Sequence, residues 1–117
     1  MKPRSLCLQL TALALVPSLA GAAHAGDAKQ GKMLYTSRCS FCHGATGKGD
    51  GAAGAALKPP ATNLTSAEFW KNATPDTMRS VIENGKPGTA MVSFKASLNT
   101  EQMDDLIAYL RTFKPDQ

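Results

Sequence analysis

The sequence predicts an all-α fold, on three observations. Apolar residues recur at helical spacing near both ends of the chain, at Ala28, Gly31, Leu34 and Tyr35 and again at Met103, Leu106, Ile107 and Leu110. No stretch shows the apolar–polar alternation of a half-buried strand. The long segments 44–65 and 85–98 are rich in Gly, Pro, Ser and Thr, which is the composition of loops.

Taken in order, the first 25 residues read as a secretory leader and not as part of the fold. Lys2 and Arg4 give a positive start, Leu6 to Val16 is an apolar run too short to span a bilayer, and Pro17 breaks it. Ala23-His24-Ala25 then places small residues where a signal peptidase reads, so cleavage is expected after Ala25. The alternative is a short N-terminal membrane anchor. A lipid anchor fits less well, because Cys7 precedes the apolar run. The domain proper is expected over residues 26–117.

Asp27 can cap a first helix running to Arg38. Its Gly31 costs about 1 kcal/mol against alanine, which points to close approach by another element. Ser66 can cap a short turn carrying Phe69 and Trp70. Thr74-Pro75 starts a third helix with apolar Met78, Val81 and Ile82, closed by Asn84-Gly85. Asn99 and Gln102 form a capping box for a last helix that reaches about Phe113 before Pro115 stops it. The first and last helices are expected to cross at Gly31.

The whole chain has 117 residues and a formal net charge of +4. Leader removal takes two of the 13 basic side chains and none of the 9 acids, leaving a net of about +2, too mild to suggest a nucleic-acid partner. No other segment is long and apolar enough to cross a membrane. So small a domain, with few large apolar residues, is marginal without a staple. Cys39 and Cys42 are its only cysteines once Cys7 has gone, so a buried cofactor would meet the shortfall.

Those cysteines stand in Cys39-Ser40-Phe41-Cys42-His43. A zinc site needs a second ligand pair, and none is present. A thioredoxin-like dithiol needs a βαβ setting, and the flanks read as helical. Covalent haem attachment is the remaining reading of C-x-x-C-H: each thiol adds across one porphyrin vinyl group, and His43 binds the iron as neutral imidazole. Gly49-Asp50-Gly51-Ala52-Ala53-Gly54 matches a dinucleotide-binding pattern but lacks the strand and helix that such a site requires, so its glycines are read as letting backbone turn past the haem. With His24 removed, His43 is the only histidine, and the second axial ligand must come from Met33, Met78, Met91 or Met103. Met78 and Met103 lie on apolar stripes and Met33 on the first helix. Met91 ends the loop 85–91 and is the expected ligand.

The chain resembles the class I c-type cytochromes of the small bacterial kind. The likeness covers nearly all of residues 27–114 and rests on Cys39-Ser40-Phe41-Cys42-His43-Gly44, Gly47-Lys48-Gly49-Asp50-Gly51, Asn84 through Met91, and Leu106-Ile107-Ala108-Tyr109-Leu110. It implies the cytochrome c fold, with crossed terminal helices and short helices and loops wrapped around one haem c. It implies axial iron ligation by His43 and Met91. It implies contact of Gly31 and Tyr35 with positions such as Leu106 and Tyr109. In that family a proline after the histidine loop typically lends its carbonyl to the ligand histidine, which Pro59 or Pro60 would do here. Trp70 would either bond a haem propionate or pack in the core. Val92 follows Met91 where many relatives have proline, which would leave the loop freer.

His/Met ligation fills both axial positions, and no acid–base pair or nucleophile stands nearby. The implied function is a periplasmic one-electron carrier, not itself an enzyme, monomeric and working between larger redox proteins. The alternative is a haem subunit held permanently in a larger periplasmic oxidoreductase complex. Lys48, Lys58, Lys86 and Lys95 put positive charge on the two haem loops.

Overall fold

The computed structural model describes residues 1–2, 14–18 and 24–116. Most of the expected leader, including Arg4, Cys7 and Ala23, lies outside the described residues. Among the described residues there are helices and no strands, and no helix is long and apolar enough to cross a membrane.

Each of the four longer helices starts at a residue able to cap it. Asp27 accepts the Lys29 N–H at 2.8 Å and opens α1, Ala28–Arg38. A single turn, α2, Ser40–His43, follows directly, too short for periodicity to reveal. After a loop with a 3₁₀ turn at Gly54–Ala56, Ser66 caps α3, Ala67–Asn72. Thr74 and Thr77 bond reciprocally around Pro75 at the start of α4, Pro75–Asn84. Asn99 and Gln102 do the same for α5, Thr100–Leu110, which tightens into a 3₁₀ turn through Phe113.

α1 and α5 cross as the Gly31 reading requires. A Cβ on Gly31 would strike the backbone carbonyl of Asp105, so only glycine lets the two backbones come this near. Tyr35, one turn on, is 1% exposed. Its ring meets Tyr109 edge-on and Phe113 tilted, at centroid separations of 5.3 and 5.2 Å, arrangements that aromatic quadrupoles favour. Leu106, Ile107 and Leu110 complete the α5 face, and full burial of such side chains contributes about 1.5–3 kcal/mol each.

α4 leans on the same core through Met78 and Ile82. Val81, expected on that face, is exposed: α4 buries only a narrow strip, and Val81 lies to one side of it. Arg79 pairs with Asp104 and ties α4 to α5.

Candidate haem site

Because α2 is a single turn, the carbonyls of Phe41, Cys42 and His43 have no intrahelical partners and need others. The following loop supplies them in succession. Gly49 N–H donates to the His43 carbonyl at 2.8 Å, Gly51 N–H to that of Cys42 at 3.2 Å, and Ala53 N–H to that of Phe41 at 3.1 Å. Gly54 is buried against this turn, and a Cβ on it would strike the Cys42 carbonyl. The run matching G-x-G-x-x-G is therefore a backbone clamp behind the two cysteines. From the other side the Tyr35 hydroxyl donates to the Gly44 carbonyl at 2.6 Å. Cys39 and Cys42, both half-buried and unbonded to each other, flank a turn fixed on two sides.

His43 Nδ1 lies 3.0 Å from the Thr62 carbonyl oxygen. With that nitrogen donating, Nε2 keeps its lone pair for a metal. This corrects the expectation for Pro59 and Pro60: neither carbonyl meets the imidazole. Ala61 N–H bonds to Gly54 O at 3.0 Å and Leu64 N–H to Gly47 O at 2.6 Å. Those two bonds fix the strand of loop between them and set Thr62 opposite the ring. Trp70 has the packing arrangement. Its indole N–H donates to the Leu64 carbonyl at 2.6 Å, and its ring stands edge-on to Phe69 at 5.2 Å.

The four methionines have different surroundings. Met78 and Met103 are core residues, 6% and 2% exposed, and Met33 is 63% exposed on α1. Met91 is half-buried at the edge of the core and belongs to a loop. That loop is held more closely than Val92 in place of proline suggested. Lys86 N–H donates to Met91 O at 3.0 Å, and Phe94 N–H donates to Ile82 O at 2.9 Å. The Ser93 hydroxyl donates to the Glu83 carbonyl. The Thr89 hydroxyl donates to Lys86 O at 2.7 Å and accepts the Met91 N–H at 3.1 Å.

Burial pushes the Cys39 thiol up to about 11, with Arg38 opposing and Cys42 adding to the rise. A redox-active dithiol needs the reverse. Among the described residues no group of three or more His, Cys, Asp or Glu converges as a metal site. The donor set does suit a haem c: two thiols on one fixed turn, an imidazole with its second nitrogen already oriented, and a rim of half-buried Trp70, Met91 and Phe94 for the ring to cover. Sequence reading missed Thr62, Thr89 and the amides of 49, 51 and 53. Only Thr89 carried a signal, as a hydroxyl two residues before Met91.

A family described as "Cytochrome C oxidase, cbb3-type, subunit III" matches residues 26–110. Cytochrome c-554(547) of Halothiobacillus neapolitanus is 32% identical over 96 residues, covering 77% of this chain and 100% of that protein. Cytochrome c6 of Rippkaea orientalis is 33% identical over 88 residues, covering 74% of this chain and 70% of that one. Among solved structures, the KustC0563 c-type cytochrome superposes with a TM-score of 0.61 at 28% identity, covering 73% of this chain and 98% of that one. A chain of the Kuenenia stuttgartiensis reducing HAO-like protein complex superposes with a TM-score of 0.63 at 26% identity, covering 74% of this chain but only 42% of that longer one.

Proposed function

The chain belongs to the class I c-type cytochromes, and on that premise we propose that it is an exported, periplasmic one-electron carrier whose haem c is ligated by His43 and Met91. When bound, the haem supplies a one-electron ferrous–ferric couple. The chain's own residues supply attachment and orientation. Cys39 and Cys42 would hold the ring by thioethers. Thr62 fixes the His43 tautomer by accepting from Nδ1. The Met91 thioether is the soft ligand that, in cytochromes c generally, raises the potential. The observation that carries this reading is the His43 Nδ1 contact at 3.0 Å to a backbone carbonyl, beside two cysteines on a clamped turn.

Export is supported by the leader pattern and by the family match, which begins at residue 26, the first residue after the expected cleavage point. An absorption spectrum of the reduced protein in alkaline pyridine tests the attachment. Two thioethers give the haem c bands, and a spectrum of haem with one or two free vinyl groups would defeat the reading.

A second reading, a permanent subunit of a larger oxidoreductase, is favoured by two observations: the matching family is described as an oxidase subunit, and one structural neighbour sits in a complex. Gel filtration of native extract separates the two. A carrier elutes near its own mass, and a subunit elutes with its complex.

A further inference from the structure

Asp105 is the charged side chain that lies buried in the described part of the molecule, 8% exposed. It sits in α5 where α1 begins to cross. A carboxylate there needs donors, and two reach its Oδ1: the Asp27 backbone N–H at 2.6 Å and His24 Nε2 at 2.7 Å. The Asp27 amide first and His24 second hold the carboxyl below its usual range. Between these donors stands Gly26, with φ +83°. A Cβ on Gly26 would strike the Asp104 carbonyl and crowd Ala108. The chain thus lies hard against α5 at the residue that cleavage after Ala25 makes first. Hydrolysis of the Ala25–Gly26 bond takes up one water and leaves a carboxylate on Ala25 and an ammonium on Gly26. His24 departs with the leader, and a new cation appears one residue before the amide already bonded to Asp105.

We infer that Asp105 is the receiving site for the mature amino terminus, where the Gly26 ammonium replaces the His24 imidazole and fastens α1 to α5. The inference rests on the reading of residues 1–25 as a cleaved leader. The neighbouring charges favour a cation here. Glu101, Asp104 and Asp105 of α5 all raise His24 above its ordinary value, the Asp105 hydrogen bond most. Arg79 of α4 is committed to Asp104, and the Asp27 carboxylate accepts from the Lys29 amide at the start of α1.

The exchange moves a pH window. A cation whose folded value is raised by a carboxylate contributes fully below its ordinary value, and the contribution fades as pH rises through the folded one. For His24 that begins above the ordinary imidazole value of 6.5. For an α-amine it begins only above about 7.7–8.0, so the processed protein keeps the contact at neutral pH. On the acid side, Asp105 contributes above the ordinary carboxyl value of 3.8, and its contribution is lost as pH falls below that.

The test exports the full chain with its leader, determines the N-terminus of the haem protein by mass spectrometry, and follows the urea midpoint from pH 6 to 10 for wild type, Asp105→Asn and Asp104→Asn. Wild type and Asp104→Asn should lose midpoint between pH 8 and 10. Asp105→Asn should start lower at pH 7 and lack that component, whereas any alkaline change at the haem would fall equally on all three. In wild type and Asp104→Asn, but not in Asp105→Asn, the α-amine of the folded protein should be acylated at pH 7 at least tenfold more slowly than in urea. A first residue other than Gly26 overturns the leader boundary and the inference together. Gly26 first, with parallel curves for wild type and Asp105→Asn or with equal acylation rates, overturns the inference alone.

Discussion

The two loops that would face the haem are built differently. On the histidine side, three alternate amides, those of Gly49, Gly51 and Ala53, meet three successive carbonyls of the attachment turn. Gly54 leaves no room behind that turn. On the methionine side, the loop hangs from the end of α4 by separated bonds, and Met91 itself is placed by one neighbouring amide and the Thr89 hydroxyl. The contrast teaches which of the two proposed ligands is held less firmly. His43 lies on the clamped turn that carries Cys42, whereas Met91 sits in a loop held by fewer, separated bonds.

The largest effect expected comes from removing the covalent anchor. Cys39→Ser with Cys42→Ser should give little folded protein, because the haem supplies core that the few buried apolar side chains lack. A cooperative unfolding transition with dispersed amide signals in that variant would break the comparison at its root.

Met91→Ala attacks the other side and should leave the haem attached, since the thioethers and His43 remain. The potential should fall with loss of the soft ligand, and the weak sulfur-to-iron charge-transfer band of the oxidised protein should vanish. Met33→Leu, Met78→Leu and Met103→Leu should keep the band and cost less than about 1.5 kcal/mol. Survival of the band in Met91→Ala and its loss in one of the others would place the ligand elsewhere.

Gly54→Ala sharpens the contrast on the clamped side. Its methyl meets a backbone carbonyl that cannot swing away, so a loss of about 1–3 kcal/mol is expected from the denaturation midpoint. An unchanged midpoint would show that the clamp yields.

The smallest effect is expected from Thr89→Val. It removes one hydroxyl that bonds both Lys86 O and the Met91 amide, at a cost of about 1 kcal/mol. The charge-transfer band should disappear at lower urea concentration than in wild type, while haem stays attached and the global midpoint shifts little. Band and fold melting together would mean that the methionine loop is no looser than the rest.

Much of this was legible in the residues. Asp27, Ser66, Thr74 and Asn99 mark helix starts because a side-chain oxygen of that reach is what an orphan N–H requires. Gly31 announced the helix crossing through an otherwise unfavourable glycine. Cys39, Cys42, His43 and Met91 stand out because few side chains can form a thioether or ligate iron. The tertiary structure decided the rest. Thr62, and not Pro59 or Pro60, meets His43, and the Leu64 carbonyl takes the Trp70 indole. Asp105 is buried between two donors from a segment nearly eighty residues earlier in the chain. The physical reason is common to all three. A backbone carbonyl is the same group in every residue, and an N–H in every residue but proline, and an aspartate looks alike in sequence whether buried or not. Which of them meets a given ring or donor is set by the path the chain takes in space.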